Sequence, residues 1–284
     1  VSGRTPRRPA AAAAAAALAL TVMTGCGGDE GATVQGVKLI KKGQLTSCTH
    51  LPYPPFQVEQ GGKVVGFDVD MIDLVAKRLG VTQKVVDTPF ETMKTGAALN
   101  AGKCDIVMGG MTIKQDRVQF MDVSKPYFDA TQALMAKKDS GVTSLDDVKN
   151  RKLKLGSQAS TTGEDYVKEK GLDPRSFDNS LAELDGLRTG QVDVIVQDYP
   201  VVQGWLKEPA NAAKYAIVAN LNTGEQYGFW IRKGHNPKLV ELTNQAIEGA
   251  KADGTYKKIY EKWIGPMPKP GGAGGAGGSG GGTS

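Results

Sequence analysis

VVGFDVDMIDLVAKRLG, residues 64–80, joins a short apolar run to an amphipathic stretch and stops on a glycine. Val69, Ile72, Val75, Ala76 and Leu79 recur at the three- and four-residue intervals of one helix face, which predicts a helix over 69–79 ended by Gly80. The apolar residues 64–67 ahead of it read as a strand. Outward from this stretch the alternation continues: a short strand lies within 38–50, another starts at Val85-Val86, a helix covers 93–101 with a stop near Gly102, and a buried strand covers 105–108. A crossover helix is what brings a chain back to start a parallel neighbour, so this order predicts an open, mostly parallel sheet with helices on both faces. Ligands of such sheets bind off the carboxyl ends of strands, where His50 and Gly110 fall.

The series repeats. A strand over 152–155, the turn-like GSQASTTG (156–163), helices over 164–170 and 181–187, and a strand over 192–196 ending in Gln197-Asp198 make a second α/β unit. Beyond Tyr227, GFWIRKG reads as a strand and 237–252 as a helix. In DGTYKKIYEKWIG (253–265), Tyr256, Ile259, Tyr260 and Trp263 share one helical face and are expected to pack on the first unit.

Both ends differ from this middle. Arg4, Arg7 and Arg8 precede an apolar run over 10–23, and Met23-Thr24-Gly25-Cys26 follows. The run fits the roughly 7–15 residues of a secretory signal and falls short of the ~20 that span a bilayer. A cysteine directly after small residues points to a lipoprotein signal over 1–25 and lipidation of Cys26, although Met23 stands where leucine is usual. Residues 26–37, polar and glycine-rich, read as a flexible spacer, and 266–284 as a disordered Gly-rich tail. The expected location is extracytoplasmic, tethered to the membrane at Cys26.

The formal charge is +5; without the three signal arginines the chain carries 32 basic against 30 acidic residues. That near-neutral balance, with no basic stripe interleaved by aromatics, argues against a nucleic-acid partner. Two histidines and no Cys or His pair at ligand spacing argue against a metal site. With Cys26 committed to lipid, Cys48 and Cys104 remain. A disulfide is permitted outside the cytoplasm, but Cys48 near the end of one strand and Cys104 at the start of another must bring their Cα atoms within about 7 Å; two buried thiols are the alternative.

MGGMTIKQDR, residues 108–117, supplies two glycines whose backbone can approach a ligand, a hydroxyl at Thr112, and Arg117, whose planar fork matches a carboxylate. Taken alone, it also fits a solvated helix start. Taken together and in order, GFDVDMIDLVAKRLG, MTIKQDR, PYFDATQALM, GSQASTTGEDYV, GQVDVIVQD and ADGTYKKIYEKW resemble solute-binding protein family 3, the polar-amino-acid binding proteins of ABC importers, over about residues 38–265.

That resemblance implies a two-lobed, periplasmic-binding-protein-like (type II) α/β fold with two crossover hinge segments. Lobe one is expected over 38–128 plus 226–265 and lobe two over 129–225, closing like a hinge on one L-amino acid. It also implies a binding protein and not an enzyme, without cofactor, monomeric, that hands its ligand to an ABC permease of the membrane. Arg117 would take the ligand carboxylate with the backbone N–H groups of Thr112 and Thr162. Asp198 would take the ammonium with the Gly110 carbonyl and the Thr112 hydroxyl. Thr161 and Thr162 begin a helix, so one hydroxyl also fits an N-cap, and free N–H groups there attract an anion. In LPYPPF (51–56) the wall against the ligand side chain is assigned to Tyr53, and Phe56 to packing below. Phe90 is the candidate opposite wall, although a gap-free count back from Arg117 puts Thr92 there. Phe67 reads as core, Asp68 as part of a helix N-cap region, and Asp70 as a candidate for the cleft.

Selectivity is expected from His50, Glu91, Thr92 and Gln158. Glu91 would favour a cationic side chain, a slight preference; His50, if protonated, an anionic one; a glutamine or glutamate binder is the alternative. The same fold also resembles cyclohexadienyl dehydratases, which use a cleft carboxylic acid, here Glu91. Cell-wall lytic enzymes that carry this module need a further catalytic domain.

Overall fold

The computed structural model describes residues 1–3 and 31–268; the expected signal, Cys26 and residues 269–284 lie outside the described residues. The expected spacer is corrected in part. Strands β1 (Ala32–Val34) and β2 (Val37–Leu39) form an antiparallel hairpin whose turn residues Gln35 and Gly36 both have positive φ, the geometry of the tightest hairpin turns. Val37 and Leu39 are buried, which draws this segment onto the body.

The main elements follow. Strand β3 (Gln44–Thr49) leads to a separate hairpin, β4 (Val58–Gln60) and β5 (Lys63–Val65), then to helix α1 (Phe67–Leu79) and strand β6 (Thr82–Asp87). The 64–67 strand is therefore an arm of that hairpin, outside the main sheets, and Phe67 already belongs to α1. Gly66, at φ 148°, leaves no room for a side chain: a Cβ there would sit 2.1 Å from the Phe56 carbonyl. Two short helices, α2 (Phe90–Lys94) and α3 (Ala97–Asn100), replace the single helix expected over 93–101. Gly96 in the left-handed region breaks them apart. Then come β7 (Ile106–Val107), α4 (Gln115–Val118) and β8 (Met121–Val123).

The second unit opens with β9 (Phe128–Lys137) and α5 (Leu145–Asn150), followed by β10 (Leu155–Gln158), α6 (Thr162–Glu169), β11 (Arg175–Phe177), α7 (Ser180–Arg188) and β12 (Val194–Asp198). Strand β10 lies three residues later than expected. Its four residues are all buried, and Gly156 is needed there because a Cβ would meet the Phe177 ring at 2.8 Å. Helices α8 (Tyr199–Trp205) and α9 (Pro209–Lys214) precede β13 (Tyr215–Tyr227); β14 (Trp230–Arg232), α10 (Pro237–Ala252) and α11 (Thr255–Trp263) complete the described chain.

Two five-stranded sheets result, β6-β3-β7-β14-β8 and β11-β10-β12-β9-β13. Their pairings make four strands of each run one way and one run the other: β14 in the first sheet, β9 in the second. Each reversed strand is the first strand after the chain changes sheets. The fold is thus two-lobed α/β with mostly parallel sheets. Strands β9 and β13 pair from Lys137↔Tyr215 to Phe128↔Tyr227 and run together towards the first sheet. Helix α11 packs there as expected, with Tyr256 and Tyr260 edge-on to Phe67 and Tyr260 stacked on Phe128. A disulfide joins Cys48 and Cys104, their Cα atoms 5.7 Å apart. No described helix is long and apolar enough to cross a membrane.

Candidate functional site

The carboxyl ends of β3, β7, β10 and β12 meet at one cavity between the two sheets. His50, Tyr53, Phe90, Gly110, Thr112 and Arg117 line it from the first unit. Gln158, Thr161, Thr162 and Asp198 line it from the second. Ten of the eleven ligand residues expected from sequence are thereby brought together.

Arg117, on α4, is 5 % exposed. Its Nη1 donates to the Thr112 carbonyl at 2.9 Å, and its guanidinium lies 5.7 Å from the centre of the Phe90 ring. Burial pulls its pKa down, opposed by the charges of Asp116, Asp165, Glu225 and Asp198, but a guanidinium stays protonated. Among the described residues no carboxylate forms an ion pair with it.

Asp198 ends β12 and is 6 % exposed. The hydroxyls of Tyr53 and Tyr227 and the amide of Gln132 all donate to its carboxylate. Burial, with the nearby Glu225 charge adding to it, raises its pKa to about 6, while those three donors pull the other way. Two opposite charges thus stand buried at one cavity without pairing to each other.

Glycine sets the shape between them. Gly110 has φ 56°, and a Cβ on it would lie 2.8 Å from the Tyr53 ring and 3.2 Å from that of Tyr227. Thr161 caps α6, accepting from the Glu164 amide while its own hydroxyl donates to the Gln158 carbonyl. The hydroxyls of Thr112 and Thr162 approach each other at 3.5 Å across the two units. Also lining the cavity, both ring nitrogens of His50 and Oε1 of Gln158 are buried without a hydrogen-bond partner among the described residues, the Asp87 carboxylate lying 3.9 Å from His50 Nδ1.

Glu91 is the residue that does not join. Its side chain is 58 % exposed, Lys94 sits 3.4 Å away, and a hydrogen bond with Ser160 keeps its pKa below the usual carboxylate range. One helical turn decides this: Phe90 takes the inward position at the start of α2, and its neighbour faces out. The cationic preference loses the residue on which it rested, and an ionised, solvated carboxylate is unsuited to act as a cleft acid. Thr92 also stays out, its hydroxyl donating to the Pro89 carbonyl at 2.8 Å. Asp70 is turned away, accepting from Lys262 and from the Trp263 indole.

Sequence reasoning missed three participants. Tyr227 and Gln132 hold the Asp198 carboxylate, and Gln132 also donates to Glu225 at 2.7 Å. A lone amide inside the apolar strand ATQALM was the available signal. Asp68 does not cap α1, whose N-cap is Gly66; its carboxylate instead accepts from the amides of Gly109 and Gly110, both at 2.9 Å.

A two-lobed fold whose strand ends converge on a cavity bearing one buried cation and one buried anion defines a binding protein for small polar molecules. The chain belongs to the bacterial extracellular solute-binding proteins, family 3, whose model matches residues 45–266. Members are extracytoplasmic binding proteins, and the family implies an amino-acid ligand and an ABC-transporter partner. The chain is 34 % identical to a probable histidine-binding protein of Neisseria gonorrhoeae, over 76 % of this chain and 81 % of that one. Its fold matches an ancestral arginine-binding protein bound to arginine, with TM-score 0.72 and 40 % identity over 79 % of this chain and 99 % of the other. It also matches an ancestral amino acid-binding protein described as a precursor of cyclohexadienyl dehydratase, with TM-score 0.70 and 35 % identity over 78 % and 95 % of the two chains.

Proposed function

We propose that this protein captures a free polar L-amino acid between its two lobes and presents it to an ABC permease, tethered through a lipid on Cys26. The observation that carries this reading is the pair of buried, mutually unpaired charges on Arg117 and Asp198 at one cavity. A zwitterion offers each its counter-charge, and an unpaired buried charge costs several kcal/mol. Arg117 takes the carboxylate, with the Thr112 and Thr162 amides; Asp198 takes the ammonium, with the Gly110 carbonyl and the Thr112 hydroxyl. The proposed lobes are 38–128 with 226–265, and 129–225, hinged at the two crossings.

His50, Gln158, Phe90 and Tyr53 surround the ligand side chain. Unpartnered polar atoms on His50 and Gln158 favour a side chain that both donates and accepts, such as the amide of glutamine or the imidazole of histidine. Arginine and histidine are named as ligands of relatives, which agrees with a long polar side chain. Binding without catalysis fits an exposed, ionised Glu91.

A thermal-shift screen of the twenty amino acids with ornithine and citrulline tests this. A ligand at a thousand times its Kd stabilises by about 4 kcal/mol. A screen in which no amino acid raises Tm would refute the reading, and one led by glutamate would move the side-chain assignment to a protonated His50.

A further inference from the structure

Asp68 is fully buried at the start of α1, and three site-bearing segments of the first unit converge on it. Its backbone N–H donates to the Phe56 carbonyl at 3.1 Å, in the loop that carries Tyr53. One carboxylate oxygen accepts from both Gly109 and Gly110, the glycines ahead of Thr112. The other accepts from the Tyr127 hydroxyl at 2.7 Å. Tyr127 immediately precedes the crossover strand β9, and its backbone N–H donates to the Tyr227 carbonyl at 3.0 Å, at the end of the returning strand β13. Gly110 in turn supports the Tyr53 and Tyr227 rings that donate to Asp198. A single carboxylate therefore ties the ligand-facing loop to both crossings without lining the cavity.

We propose that Asp68 is a positioning residue whose ionised carboxylate locks the Gly109–Gly110 loop to the crossover strands, so that neutralising it weakens ligand capture although it touches no ligand. Two peptide amides and a phenol converging on two carboxylate oxygens is an arrangement that a charged acceptor holds more strongly than a neutral one. Tyr127 and Tyr256 are the titratable groups facing Asp68, and no cation is among the groups that act on it. Burial raises the Asp68 pKa to about 7 against the pull of Tyr127 and the two glycine amides, which puts its charge within reach of ordinary buffers.

The inference rests on the amino-acid reading, and its test separates the two. Calorimetry on the full chain with L-glutamine, L-histidine and L-arginine as probes, from pH 5.5 to 8.5, compares wild type with Asp68→Asn. At pH 8.5 the variant should bind roughly tenfold more weakly, and the gap should close towards pH 5.5, where wild-type Asp68 is itself neutral. Asp198 titrates in both proteins and cancels from the ratio. A gap that stays constant with pH, or none at all, overturns the proposal while leaving the binding function standing. No binding of any probe by the wild type would remove the binding function and this proposal together. Should Asp68→Asn not fold, Tyr127→Phe gives a second reading. Losing one donor to the carboxylate should move the wild-type pH midpoint of affinity upward, and an unmoved midpoint overturns the proposal.

Discussion

The hydroxyl of Tyr53, from the loop after β3, donates to the carboxylate of Asp198 at the end of β12, joining the two sheets across the cavity. Ser180 makes a parallel link by donating to the Pro52 carbonyl at 2.8 Å. Tyr53→Phe keeps the ring and removes only the cross-cavity donor. Amino-acid affinity should fall about tenfold, the scale of a hydrogen bond to a charged group. Titration calorimetry checks this; an unchanged Kd would show that the hydroxyl is a bystander.

Arg117→Ala should abolish binding while leaving the protein folded. Breaking a buried charge pair costs about 3–5 kcal/mol, which is roughly two to four orders of magnitude in affinity. Arg117→Lys should also bind poorly, because an ammonium lacks the fork that grips a carboxylate and the plane that lies against Phe90. Wild-type affinity in either variant, with a normal unfolding transition, sinks the carboxylate assignment.

Asp198→Asn should weaken the free amino acid far more than its N-acetyl derivative, since acetylation has already removed the ammonium. Equal losses for both ligands would make Asp198 a structural residue.

The pH dependence of the protein's own stability and that of the stabilisation added by ligand should carry opposite signs. Burial raises the pKa of Asp68 to about 7 and those of Asp105 and Asp198 to about 6. Between about pH 4 and 7 the folded state therefore holds more protons than the unfolded chain. Stability contributed by these groups is complete at the acid end of that window and is lost as pH rises through it. The proposed ammonium contact needs an ionised Asp198, so the stabilisation added by ligand should grow over the same range. Melting curves at pH 4.5, 6 and 7.5, with and without amino acid, test both signs; a ligand effect that shrinks with pH would contradict the ammonium role of Asp198.

Replacing Cys48 and Cys104 by serine should lower Tm. The bridge spans 56 residues, a closure that contributes about 4 kcal/mol in the chain-entropy model. Equal melting of oxidised wild type and the double variant would show that the bond adds nothing.

Periodicity made α1, α10 and the aromatic face of α11 legible from residues alone, because a long amphipathic stretch repeats the same physical instruction over several turns. The candidate clamp residues Arg117, Thr112 and Asp198 were legible for a different reason: six segments in the order of solute-binding protein family 3 single them out, whereas each alone also fits a solvated helix start or an exposed turn. What the sequence could not decide depends on single rotations of the chain. Whether Phe90 or Glu91 faces the cavity turns on where α2 begins, and Gly96 breaks a helix that periodicity alone would continue. The three donors to Asp198 come from positions 53, 132 and 227, and those to Asp68 from 109, 110 and 127. Local propensity acts over a few residues and determined the helices and the repeat of the α/β unit. Only the tertiary structure, by bringing the strand ends of two sheets together, decided which polar groups hold the Asp198 and Asp68 carboxylates in place.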